Sequence, residues 1–154
     1  MAKFDFKLEG VLRHRLHVEE EKRRDLARLQ QQMRQAQDAL RELNQVVQSN
    51  VADVRQNHLT GRLDLSFLAA HRRYMLATQR RGTEMVHNMA LLQREVDQAT
   101  RALTEAAKQR KIIEKLREKQ KERWAADLAR KESAELDEIS MRLAANWAAQ
   151  DGDL

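Results

Sequence analysis

Apolar residues recur along this chain at alternating spacings of three and four. From Leu26 the series runs through Leu29, Met33, Ala36, Leu40, Leu43 and Val47 to Val54. That is the seam of a heptad repeat, with apolar side chains at a and d. Asn50 takes one seam slot, a device that fixes register at some cost in stability. Upstream, Leu8 and Leu12 keep the phase, but Arg15, Glu19 and Lys22 fill the slots between. The seam is therefore expected to be weak or open across residues 15–22. A second series runs Met85, Met89, Leu92, Val96, Ala99, Leu103, Ala106, Arg110 and Ile113. It shifts near Leu116 and resumes with Trp124, Leu128, Leu136, Ile139, Leu143 and Trp147. Leu63, Phe67, Tyr74 and Met75 give it a looser start.

Between the two seams lies Asn57-His58-Leu59-Thr60-Gly61. Gly61 suits the left-handed residue just past a helix end. Asp64 or Ser66 could cap the next helix. The pattern predicts an all-α chain: two long helices in an antiparallel coiled-coil hairpin, the second longer than the first. It reads as a single coiled-coil domain over 1–154, with a helix over about 5–58, a turn at about 59–63, a helix over about 64–148 and a frayed tail at 149–154. At about 1.5 Å per residue the helices would run roughly 80 Å and 125 Å. Folding at Gly61 would set Leu29 against Leu92, Leu40 near Gly82, and Leu12 near Arg110 or Ile113. Gly82, inside the second helix, costs roughly 1 kcal/mol relative to Ala there and could mark a bend. Residues after about 118 would have no partner within the chain, although they carry an apolar stripe. Such a stripe offers itself to another protein or to a second copy.

Composition narrows the classes. The 154 residues include no Pro, no Cys and 4 Gly, with 34% charged and 4% aromatic. Few aromatics argue against a compact globular core, and the regular apolar period argues against disorder. Without cysteine there is no disulfide framework and no thiolate metal site. The start, Met-Ala-Lys-Phe-Asp-Phe-Lys, has no apolar h-region, and no apolar run approaches the ~20 residues of a membrane span. The expectation is a cytoplasmic protein. Net charge is +5 but uneven. Basic residues concentrate at Lys108, Arg110, Lys111, Lys115, Arg117, Lys119, Lys121 and Arg123, opposed by Glu114, Glu118 and Glu122. Residues 131–154, with two basic and six acidic side chains, are acidic. The basic belt would attract an acidic protein surface or a nucleic acid, or simply form a solvated face.

Catalytic constellations are not evident. His14 and His17 sit one helical turn apart near Glu20 and Glu21, too few ligands for a stable metal site. Ser49, Ser66, Ser133 and Ser140 have no elbow and no matched base. The four glycines are scattered, so no phosphate loop exists. A two-helix hairpin offers no cleft that excludes water. The expectation is a non-enzyme with no cofactor and no metal. Nucleic acid is disfavoured as a partner, because acids punctuate the belt and pair with Lys or Arg three or four residues away, and only Trp124 is placed to stack.

Two stretches resemble a known family. Phe4-x-Phe6-x-Leu8-x-x-Val11-Leu12-x-x-Arg15, followed by Glu19 to Glu21, resembles the N-terminus of the flagellar export protein FliJ family. Ile113-Glu114-Lys115-Leu116-Arg117-Glu118-Lys119-Gln120, then Trp124, Lys131-Glu132 and Leu136-Asp137-Glu138-Ile139-Ser140, resembles its closing segment. The resemblance covers nearly the whole chain. It implies a non-enzymatic, stalk-like component of the flagellar type III export apparatus that supports flagellum assembly and motility. Implied partners are the hexameric export ATPase, the cytoplasmic domain of the export gate and export chaperones. The implied location is the cytoplasmic face of the cell membrane at the flagellar base, without membrane insertion, and the implied state is a monomer. On this basis the open end is expected to enter the ATPase ring through Lys111, Arg117, Lys121, Arg123 and Trp124. Phe67, Tyr74 and Met75 are expected to face the gate, or else to serve hairpin packing alone. The alternatives are a stalk of a virulence-type secretion system, a self-associating scaffold, and a basic nucleic-acid-binding helix protein.

Overall fold

The computed structural model describes residues 4–59 and 61–150, with the side chains of His58 and 146–150 excepted. The fold class is the expected one: two long helices of a coiled-coil hairpin, the second much the longer. Helix α1 spans Glu9–Asp53 and helix α2 spans Leu65–Gln150. A π-helical turn, Val54–His58, closes the first arm. Contacts divide the chain into a hairpin unit, residues 18–106, and a terminal unit, residues 1–17 with 107–154. The Trp147 side chain and the tail beyond Gln150 lie outside the described residues.

In the hairpin unit the predicted seams are the faces that pack. Leu26, Leu29, Met33, Ala36, Leu40, Leu43 and Val47 are all half-buried, and so are Met85, Met89, Leu92, Val96, Ala99 and Leu103. Residues between them are mostly exposed, as a two-helix seam requires. A half-buried Leu contributes on the order of 1 kcal/mol, so stability accrues along the seam. Asn50 fills its slot as a polar layer, its Nδ2 donating to the Tyr74 hydroxyl at 3.3 Å. Glu19, 7% exposed, is held by the Arg23 guanidinium at 3.0 Å. Its seam slot is therefore filled by a satisfied carboxylate and not left open.

The turn is built from local chemistry. Asn57 Nδ2 donates to Asp53 Oδ1 across the π-helical turn at 2.6 Å. Gly61 has φ +87°, in the left-handed region the sequence assigned to it. Asp64 is the cap of α2: its Oδ1 accepts from the backbone N–H groups of Ser66 and Phe67 at 2.9 and 3.1 Å. The register differs from expectation by about one turn. Gly82 faces Leu43, whose Cδ2 lies 3.7 Å from where a Cβ would stand, and not Leu40. The cause is the linker: it continues to Asp64, so the fold-back point lies beyond Gly61. Helix α2 runs through Gly82 unbroken.

In the terminal unit the first helix starts at Glu9, later than the expected residue 5. Phe4, Asp5 and Phe6 precede it without helical structure. Phe6 is 5% exposed and Phe4 packs on Trp124, so burying two rings outweighs one more helical turn. The Glu9 N–H donates to the Phe6 carbonyl at 2.9 Å, which pins the entry. Leu12 is 4% exposed, and the Arg15 guanidinium donates to Gln109 Oε1 at 2.6 Å.

The two glycines make opposite predictions. Gly61→Ala forces a side chain into the left-handed region and is expected to cost about 1–2 kcal/mol. Gly82→Ala meets only ordinary van der Waals contact and is expected to add up to about 1 kcal/mol. Urea unfolding followed by circular dichroism measures both; changes of the same sign would refute the assignment of their roles.

Candidate functional site

The basic belt lies on α2 in the terminal unit. Its lysines are exposed, whereas the seam claims Arg110, Ile113 and Trp124, all half-buried. Arg110 pairs with Glu114 at 2.5 Å, and its stem fills the apolar slot. Arg117 occupies the seam slot seven residues on and reaches Glu9 at 3.3 Å, with both side chains about half exposed. Lys111, Lys121 and Arg123 are exposed and make no ion pair among the described residues. At 3.6 residues per turn the four expected cations do not share a face. Arg117 lies in the seam, Lys121 stands beside it, and Lys111 and Arg123 point away on opposite sides.

A tighter cationic grouping went unnoticed in the sequence. Lys108, Lys111, Lys115 and Lys119, spaced three, four and four, share the outward face and are all exposed. Their 3-4 spacing was the available signal. Glu118 and Glu122 lie on the same face. Of the three acids expected to pair within the belt, only Glu114 does so; Glu118 and Glu122 make no ion pair among the described residues. Surface pairs of long side chains gain too little to fix their geometry.

Trp124 has a partner in the chain, contrary to the expectation that residues past about 118 have none. Its ring centroid lies 5.9 Å from that of Phe4, tilted by 54°. The missed signal was Phe4-x-Phe6, which continues the packing beyond the start of α1. From Ala129 to Ala145, however, every residue is exposed. Leu136 is 66% exposed, and Ile139, Met141 and Leu143 are also exposed.

The other three expected site residues lie in the hairpin unit and divide between two places. Phe67 stacks on His71, with centroids 6.3 Å apart, and lines a shallow depression with Tyr74, Asn50 and Val54. Met75 lines a different and larger groove with Leu40 and Leu43. Among the described residues no helix is long and apolar enough to cross a membrane, and no three His, Asp or Glu side chains group as metal ligands.

A protein-family model described as flagellar FliJ protein matches residues 4–148. No curated protein and no solved structure matches the chain.

The Phe4–Trp124 contact generates a prediction. In a Trp147→Phe background, Phe4→Ala is expected to shift Trp124 fluorescence to longer wavelength as the indole gains water. An unchanged emission maximum would mean that the N-terminal segment does not cover the indole in solution.

Proposed function

The chain belongs to the FliJ family of flagellar proteins and is a component of the flagellar export apparatus, and we propose from this that it acts there as a non-enzymatic stalk. The terminal unit binds the hexameric export ATPase, and the hairpin unit meets the cytoplasmic domain of the export gate through Phe67, Tyr74 and Met75. Export chaperones are further partners. The protein works as a monomer at the cytoplasmic face of the membrane without inserting in it, and it serves flagellum assembly and motility.

The observation that carries this reading is the terminal unit's surface. Lys108, Lys111, Lys115 and Lys119 cover the outward face, while Lys121 and Arg123 stand outside that face on either side, and none of the six makes an ion pair among the described residues. A helix gripped from several sides, as in a ring, uses cations distributed in this way. A helix laid along a flat acidic surface or a duplex would use the lysine face alone and leave Lys121 and Arg123 outside the contact. Beyond them the exposed Leu136, Ile139 and Leu143 supply apolar anchors that a partner could bury.

Lys111→Glu, Lys121→Glu and Arg123→Glu together are expected to weaken ATPase binding roughly tenfold or more, since each reversed charge costs up to about 1 kcal/mol. Helicity should be unchanged. Size-exclusion chromatography with light scattering, with and without the ATPase, measures this. A wild-type protein that ignores the ATPase and elutes as a stable dimer would replace the stalk with a self-associating scaffold. Arg117 needs a separate test because Glu9 holds it. Arg117→Glu with Glu9→Arg restores the internal pair, so binding that stays weak assigns Arg117 to the ring and binding that recovers assigns it to the fold.

A further inference from the structure

The N-terminal segment lies against α2 where the basic belt ends. Residues 4–8 are not helical, and Phe6 anchors them: it is 5% exposed, and its carbonyl accepts from the Glu9 N–H at 2.9 Å. On either side of that anchor the chain engages one residue of α2. Phe4 packs its ring on Trp124, with centroids 5.9 Å apart. Glu9 reaches the Arg117 guanidinium at 3.3 Å. Arg117 and Trp124 are seven residues apart, so they share a face of α2 about 10 Å apart along its axis.

Both engagements are open to water. The Glu9 and Arg117 side chains are each about half exposed, so solvent screens the pair. Phe4 and Trp124 are half-buried. Asp5 and Lys7 are exposed and make no ion pair among the described residues, so they add no hold of that kind. The face covered here does not stop at Trp124. It continues through Leu128, which is half-buried, to Leu136, Ile139 and Leu143, which are exposed. Spacings of four, eight, three and four set these side chains in one stripe along α2. The N-terminal segment thus covers the near end of an apolar stripe whose far end is open. It also neutralises Arg117, the cation in line with that stripe.

We propose that residues 4–9 are a displaceable strap, which fills from within the molecule a binding face made by Arg117, Trp124 and Leu128, and that a partner takes this face by displacing Phe4 and Glu9. The strap supplies one carboxylate and one aromatic ring. The partner segment that replaces it carries a carboxylate and an apolar side chain about 10 Å apart. On the stalk reading, on which the strap rests, that partner is the export ATPase. A tilted aromatic pair or an exposed ion pair shifts an equilibrium by roughly two- to tenfold. The strap therefore lowers the apparent affinity by the fraction of molecules in which the face is open. Phe6 stays in place throughout and keeps the start of α1 fixed.

Phe4→Ala with Glu9→Gln removes both contacts and leaves the Phe6 anchor. This variant is expected to bind the export ATPase at least about threefold more tightly than the wild type, with circular dichroism unchanged. Unchanged or weaker binding would overturn the proposal, because the segment would then belong to the fold alone or to the interface itself. The chain has no cysteine, so a single introduced thiol reports on the strap directly. In a Trp147→Phe background, a bimane on Asp5→Cys stands beside the Phe4–Trp124 contact and is quenched by the indole. Saturating ATPase is expected to restore its emission to that of the free Trp124→Phe form of the same labelled protein. A bimane that stays quenched in the complex would overturn the strap and leave the stalk reading standing. If neither the wild type nor the Phe4→Ala/Glu9→Gln variant binds the ATPase, the stalk reading fails and the strap falls with it.

Discussion

Two helices side by side cannot enclose anything. Each seam residue has the partner helix on one side and water within reach on the other. Among the described residues no large side chain is fully buried, and the apolar side chains buried most deeply are Phe6, Leu12, Val54 and Ala106. Every other feature of the molecule is arranged around that constraint. Stability comes from many half-buried layers, each worth little alone. Polar layers are therefore tolerated wherever their groups find each other. Asn50 with Tyr74 and Glu19 with Arg23 do so in the hairpin unit, and Arg15 with Gln109 does so in the terminal unit. In a deep core each of these would carry a heavy desolvation cost.

The same constraint explains what the sequence made legible. A seam that must face a single partner imposes a strict period, and the period names its members. Leu26 through Val47 and Met85 through Ile113 are the residues that lose exposure. Gly61 and Asp64 were legible because their roles are local, set by one backbone angle and one cap. The one-turn difference at Gly82 was not legible, because register depends on how much chain the linker uses, and nothing in Val-Arg-Gln-Asn-His announces a π-helical turn. Phe4 and Glu9 were missed as partners of Trp124 and Arg117 for a related reason. Those contacts join residues over a hundred positions apart, and heptad phase alone cannot assign them.

Function was legible at a different grain. The family emerged from short runs of residue identity, Ile113 to Gln120 and Leu136 to Ser140, which a generic heptad does not require. The electrostatic reading was coarser, since a charge count places a belt but not its directions. Only with the seam located do Arg110 and Arg117 separate from the outward lysines. The apolar groove beside Gly82 had no sequence signature. Its residues belong to two helices and are adjacent only in the observed register.

The exposed stretch of α2 from Ala129 to Ala145 has a consequence for how it would be recognised. An isolated segment of that length is a marginal helix, because the first turn must be nucleated at an entropic cost. Here the packed turns before it have already met that cost, so each further residue needs only propagation. Local bonds support it, including Arg142 with Glu138 and the Ser140 hydroxyl with the Asp137 carbonyl. A protein arriving at Leu136, Ile139 and Leu143 thus meets side chains already in helical array. Association there would have little chain ordering to offset, so it would be docking onto a preformed helix and not folding upon contact.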